Sequence, residues 1–396
     1  MQKQLLKTIF RRVEEGGFTV RFWDGEETKY GSGPSEVTLV FNEALPTSFP
    51  VDDLMLGFGE AYMDGVIDIE GELEDVFSLF VRNEERMDGS GLTNAMTKII
   101  RTVQSGAAFK ERQKDNIQHH YDLGNDFFSL WLDETLSYSC AYFRHDEDTL
   151  YQAQLNKIDH ILKKMQLRPG QRLLDIGTGW GWLLIRAAQQ YGVQAVGITL
   201  SEEQYQGATQ TVRELGLEDS VEIRLQDYLD LKPTELFDRV VSVGMFEHVG
   251  RSNLPVYMEK VRDLLKPGGL SMLHSIMGLT ESDVNSWIEK YIFPGGYIPS
   301  LRETIGLFPD YDFHLIHGES LRRHYAKTLD HWYENFSKHM DTVEEKYGRR
   351  FVRMWELYLL SCAASFRTTG LDIYQLLFSK GLNNDLEMTM DHVYNL

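Results

Sequence analysis

Leu173-Leu174-Asp175-Ile176-Gly177-Thr178-Gly179-Trp180-Gly181 runs an apolar strand into three alternating glycines. Glycine lets a strand-to-helix turn approach a ligand with no Cβ in the way, and the following helix presents unpaired N–H groups. A polar ligand group is therefore expected on Gly177, Gly179 and Gly181. The glycines alternate rather than falling as G-x-G-x-x-G, and no acidic residue closes the next apolar run at 196–199. A nicotinamide cofactor is disfavoured on both counts. Asp175, and Gln226-Asp227 after a third apolar run at 221–225, give polar ends to successive strands around one crevice. That suits a zwitterionic nucleoside such as S-adenosylmethionine. A glycine turn alone reads equally as tight packing of strand on helix, so its neighbours must decide.

Around this turn the chain repeats strand then helix: strands at 172–176, 194–199, 221–225, 238–243 and 270–275, helices at 181–190, 201–215 and 253–265. The alternation predicts an α/β, Rossmann-like domain with a mostly parallel sheet covered on both faces and a ligand outside the carboxyl ends of its strands. Before it, strand-like runs at 18–23 and 36–41 and a mainly helical stretch at 51–83 predict a smaller α+β unit over residues 1–88. Residues 89–117, with Gly89-Ser90-Gly91 and Ser105-Gly106, read as a linker, leaving 118–396 as the second domain. Beyond 276 the alternation ends. Tyr291, Phe293-Pro294-Gly295-Gly296, Tyr297 and Pro299 in 287–302 suggest an aromatic lid, followed by helices at 319–346 and 350–366.

A chain of 396 residues with a formal charge of −20 repels phosphate on average, so no nucleic-acid partner is expected. Two cysteines, Cys140 and Cys362, without a C-x-x-C, point to a reducing, cytoplasmic setting and no structural metal. No secretory leader or run of about 18 apolar residues is read in the chain. Residues 1–15 form an amphipathic helix with Leu5, Leu6, Ile9, Phe10 and Val13 on one stripe and Lys3, Lys7 and Arg11 opposite. Docking on its own domain is the usual meaning of that pattern; contact with anionic lipid is the alternative.

Further motifs narrow the reading. Gln118-His119-His120-Tyr121-Asp122-Leu123-Gly124-Asn125-Asp126-Phe127-Phe128 and Tyr138-Ser139-Cys140-Ala141-Tyr142 precede the sheet; Gly244-Met245-Phe246-Glu247-His248-Val249-Gly250 and His274-Ser275-Ile276 end its fourth and fifth strands. With the glycine turn and Phe293-Pro294-Gly295-Gly296, these resemble the cyclopropane-fatty-acyl-phospholipid synthases and the related mycolic acid cyclopropane synthases, densely over 118–335 and loosely before it. The resemblance implies methyl transfer from S-adenosylmethionine to the cis double bond of an unsaturated phospholipid acyl chain, then proton loss and closure of a three-membered ring. An alkene is a weak nucleophile, so the sulfonium methyl must be held in line and water excluded. Aromatic faces then stabilise the cation without attacking it.

By the same resemblance a bound bicarbonate takes the proton, in a pocket matching Cys140, Glu247, His274, Ile276 and Tyr325. Glu247 would orient the anion, Cys140 and Ile276 would give backbone amides, and His274 and Tyr325 would donate from side chains. Cofactor positions correspond to Tyr138 and Ser139 at the methionine end and Gly177, Gly179, Trp180 and Gly181 beneath it. Thr199, Leu200 and Gln204 surround the ribose and Gln226, Asp227 and Tyr228 the adenine, with Tyr121 closing over them. Thr199 stands where many methyltransferases carry an acid, as in the lipid branch. Singly, each residue reads as ordinary packing or capping; jointly, at one sheet edge, they do not. The resemblance also implies a homodimer held peripherally at the inner face of the cell membrane. The rival enzyme is a lipid methyltransferase that leaves a branch instead of a ring; the non-enzymatic rival is a lipid carrier with no cofactor affinity.

Overall fold

The computed structural model describes residues 2–83 and 123–394, which divide into two compact units. The expected linker and Tyr121 lie outside the described residues.

The larger unit comprises 123–284, 293–328 and 371–394. Its seven-stranded sheet runs, edge to edge, Phe313–Ser320, Asp372–Lys380, Leu265–Met277, Phe237–Val243, Arg172–Ile176, Gln194–Thr199, Val221–Leu225. The last five pair in parallel, as the alternation required. Asp372–Lys380 and Phe313–Ser320 add antiparallel, and neither was foreseen. Two apolar layers cover the sheet, one centred on Phe237, Val240 and Met258, the other on Ile161, Leu184 and Met272. Close strand–helix packing needs Gly197, where a Cβ would sit 2.6 Å from Leu184 Cδ1. Because these five strands run parallel, their carboxyl ends share one edge of the sheet, where the glycine turn lies.

The smaller unit comprises 2–83, 285–292 and 329–370. Its four-stranded sheet is ordered Glu27–Gly31, Gly17–Arg21, Ser35–Phe41, Ile67–Glu70; the first and last of these were read as turn and helix. The N-terminal helix is shorter than expected, Gln2–Phe10, and is docked on this sheet. Leu6, Phe10 and Val13 are buried, with the Phe10 ring 5.5 Å from Phe18. Lys3 pairs with Asp24 and Glu26, and Lys7 with Glu26. The packing matches the docked arrangement: the apolar stripe, Leu5 apart, and both lysines have partners within the unit.

The C-terminal helices, expected with the second domain, instead build this smaller unit. Arg349–Thr368 buries Val352, Trp355, Leu359, Ala363 and Phe366 at helical spacing. From it Arg353 donates to the carbonyls of Tyr62 and Ile67 and pairs with Asp68 at 2.8 Å. The expected lid likewise divides. Ser286–Tyr291 is a helix of the smaller unit, with Trp287 filling the space at Gly59, and Phe293 onward belongs to the larger.

Candidate active site

The glycine turn is built for close approach. Gly177, Gly179 and Gly181 have φ of 86°, 55° and 83°, a region that favours glycine, and Gly181 caps Trp182–Tyr191. A Cβ on Gly177 would stand 3.0 Å from Met245 Cβ. Above the turn opens a cavity of about 1080 Å³ including its mouth, lined by Gly177, Gly179, Trp180, Gly181, Tyr138, Ser139, Thr199, Leu200, Gln204, Gln226 and Tyr228. The expected cofactor residues therefore converge, with one exception among those described. Asp227 is absent from the lining; its Oδ1 accepts Leu229 N–H at 2.9 Å and caps the short helix Tyr228–Asp230. Its neighbour Gln226 turns to the cavity instead.

Each wall has a local cause. Thr199 Oγ1 donates to Gln204 Oε1 at 2.8 Å, which leaves the Gln204 NH₂ as the donor to a ligand. Tyr138 packs edge-on to Trp131 at 5.2 Å and lies 6.5 Å from Phe293. Trp180 Nε1 donates to Asn125 Oδ1 at 3.0 Å, which fixes its ring beside Phe128. His248 also lines the cavity, and burial pulls its pKa down to about 4, so it presents a neutral ring.

Lys157 lies in none of the motifs above. This lysine is 4% exposed, lines the cavity and donates to Ser139 Oγ at 2.8 Å. Burial lowers its pKa to about 8, against the opposing pull of Asp133 and Asp175. Asp175, also on the wall, is driven up to about 7 by burial, and its Oδ1 has no hydrogen-bond partner. A buried cation and a buried acid thus face one cavity, a suitable pair for the α-carboxylate and α-ammonium of a zwitterion. The signal available was a lysine on the apolar face of 150–164.

None of the five anion-site candidates lines the cavity, but their chain neighbours Ser139, Met245 and His248 do. Glu247 Oε1 accepts Ile276 N–H at 2.6 Å, so the amide expected to hold an anion is given to the carboxylate. Ile276 pairs with Ile373, whose carbonyl receives Leu321 N–H; the Leu321 carbonyl in turn accepts Tyr325 N–H at 3.0 Å and the Cys140 thiol at 3.9 Å. Burial pushes the Cys140 pKa up, keeping it a thiol. His274, two residues before Ile276 and on the same strand face, is fully buried. Among the described residues, its Nε2 and Glu247 Oε2 both lie enclosed without a hydrogen-bond partner. An orphaned imidazole nitrogen on residue 274 and an orphaned carboxylate oxygen, whose partner oxygen is tied to the amide of residue 276, fit a small oxyanion bearing its own O–H.

The sheet order, the glycine turn and the zwitterion-lined cavity at the carboxyl edge define the class I methyltransferase fold. Coclaurine N-methyltransferase shares it, with a TM-score of 0.63 at 20% identity over 82% of this chain and 98% of that one. Residues 109–376 match the mycolic acid cyclopropane synthetase family, to which this chain belongs. Residues 5–90 match a domain family of unknown function. The chain is 40% identical to the cyclopropane-fatty-acyl-phospholipid synthase of Escherichia coli over 84% of its own length and 85% of that protein. It is 35% identical to a probable fatty acid methyltransferase of Pseudomonas putida over 95% of each. The cyclopropane synthase MmaA2 of Mycobacterium tuberculosis aligns with a TM-score of 0.64 at 35% identity, covering 67% of this chain and 98% of that one. Mycolic acid cyclopropane synthase CmaA1, in complex with SAH and CTAB, aligns equally.

Proposed function

We propose that this chain is an S-adenosylmethionine-dependent cyclopropane-fatty-acyl-phospholipid synthase. The observation that carries the choice of ring closure is the pair of orphaned buried atoms, Glu247 Oε2 and His274 Nε2, next to a cofactor cavity. Lys157 and Asp175 hold the amino-acid end of the cofactor, Thr199 and Gln204 its ribose, and Tyr228 packs on its adenine. Tyr138 and Phe293 present ring faces to the reacting centre, where the methyl group leaves sulfur for one alkene carbon and the other becomes cationic. Loss of a proton from the new methyl group then lets its electron pair close the ring.

The base that takes this proton is a bound bicarbonate in this reading. Glu247 Oε2 accepts from its O–H, and His274 Nε2 and the Tyr325 hydroxyl donate to its oxygens. Cys140, held as a buried thiol, offers no competing nucleophile. Among the described residues no helix is long and apolar enough to cross a membrane. Exposed Arg323 is a candidate for the lipid entrance; Arg350 is paired with Asp64 and is not. A homodimer is the expected assembly, checked by sedimentation.

The test is incubation with S-adenosylmethionine, bicarbonate and vesicles of cis-monounsaturated phospholipid. Gain of one CH₂ with loss of olefinic signals and new upfield ring protons is expected. The same mass gain without ring protons selects the branching methyltransferase.

A further inference from the structure

Beside the anion site lies a buried polar chain that the reaction above does not use. Lys164 and Gln375 are fully buried, one on the helix Leu150–Lys164 and the other on the strand Asp372–Lys380. Lys164 Nζ donates to Gln375 Oε1 at 2.7 Å and to Glu319 Oε2. Gln375 Nε2 lies 3.1 Å from His274 Nδ1. Glu319 is held in turn by His160 at 2.6 Å and by the Tyr394 hydroxyl at 3.3 Å.

Donor and acceptor logic fixes every member of this chain. Burial would raise the Glu319 pKa, yet the His160 bond and the Lys164 charge hold it at about 2, so it is ionised; burial pulls the Lys164 pKa down, and the Glu319 carboxylate beside it opposes that pull and favours the ammonium. An ammonium has only hydrogens to give, so the Gln375 oxygen must face it. The Gln375 NH₂ then faces His274 and has only hydrogens to give there. His274 Nδ1 must therefore accept, and the neutral ring carries its single proton on Nε2. A doubly protonated ring would set Nδ1–H against the amide hydrogens, and burial together with the charges of Lys157 and Lys164 opposes it.

We propose that Lys164 and Gln375 are positioning residues that lock His274 as its Nε2–H tautomer, aiming one donor into the anion site. The atom so protonated is the one that has no partner among the described residues. An N–H there attracts an oxyanion, whereas the other tautomer would turn a lone pair on it. Histidine ligands of metals are oriented by the same kind of outer partner. The catalytic consequence rests on the reading of His274 as a donor to bound bicarbonate; the tautomer itself does not.

The test is a long-range ¹H–¹⁵N correlation on the full chain labelled with ¹⁵N-histidine, with His274 assigned by the loss of its signals in His274→Gln. The wild type is expected to show an unprotonated Nδ1 and a protonated Nε2. In Gln375→Glu the new carboxylate accepts, and the proton should move to Nδ1. In Lys164→Met the amide is free to rotate, and a mixture of tautomers should appear. Turnover in Gln375→Glu should fall about tenfold or more, with KM for S-adenosylmethionine within about twofold. A wild-type Nδ1–H, or a His274 spectrum unchanged in both variants, overturns the proposal. A moved proton with undiminished turnover overturns the positioning role; the vesicle assay on the wild type judges the ring-closure reading separately.

Discussion

The amide of Ile276 donates to Glu247 Oε1 at 2.6 Å, and the other carboxylate oxygen is enclosed with no partner among the described residues. One strand end thus fixes the carboxyl group and leaves its second oxygen for a guest. Burial pushes the Glu247 pKa up to about 7, against the pull of the Ile276 bond, so near neutrality the group is divided between acid and carboxylate.

Glu247→Gln tests the site through two independent readouts. Turnover should fall about 100-fold or more, with S-adenosylhomocysteine binding nearly unchanged. Stability should move the other way. The folded pKa lies above the unfolded one, so between about 4.5 and 7 the native state binds more protons and wild-type stability falls as pH rises. Glutamine does not titrate. The variant should therefore gain on the order of 1–3 kcal/mol over wild type at pH 8 and nothing at pH 4, as read by urea unfolding. Equal stabilities at pH 8 would remove the assignment of a buried, unpaired carboxyl group.

Lys157→Met keeps the volume and removes the ammonium that faces Asp175 and Ser139. If Lys157 holds the cofactor's carboxylate, affinity for S-adenosylhomocysteine should drop about tenfold or more by calorimetry, the value of one charge-assisted bond. Adenosine, which lacks the amino-acid end, should bind both proteins alike. Equal losses for the two ligands would make Lys157 a packing residue instead.

Much of this arrangement was legible in the sequence, and the gaps have physical causes. The five parallel strands are apolar runs closed by glycine or polar turns, a pattern that survives without tertiary information. Asp372–Lys380 is buried on both faces, so it does not alternate, and Phe313–Ser320 carries His314, His317 and Glu319 on a half-exposed edge. Gln375 could not be placed before its strand was known. Lys157 hid because a lysine within an amphipathic helix ordinarily reaches solvent, and only packing shows that this one does not. Asp227 and Gln226 close the strand together, and the sequence does not show that Gln226 lines the cavity while Asp227 caps the short helix that follows.

Gly177→Ala asks whether the turn is shaped for a ligand or only for packing. At φ 86° an alanine is strained by about 1–2 kcal/mol, and its Cβ would press on Met245 at 3.0 Å. Melting temperature should fall by a few degrees, and S-adenosylhomocysteine affinity by at least about tenfold. Lost stability with unaltered affinity would assign the glycine to packing alone.

Phe10→Ala separates membrane anchoring from folding in the N-terminal helix. The Phe10 side chain is fully buried, against Phe18 at 5.5 Å and Phe41 at 6.1 Å, so it is unavailable to a bilayer while the unit is folded. Its removal should cost about 3–5 kcal/mol, measured as a lower unfolding midpoint of the smaller unit, because a ring-sized cavity opens in a packed core. Replacing the exposed Leu5 by Ser should cost less than about 0.5 kcal/mol. If the helix serves as core, vesicle binding at a temperature where both variants are folded should match wild type. Loss of vesicle binding in the Leu5 variant at unchanged stability would show that the helix meets lipid through its exposed edge, and would return the anchoring role to residues 1–15.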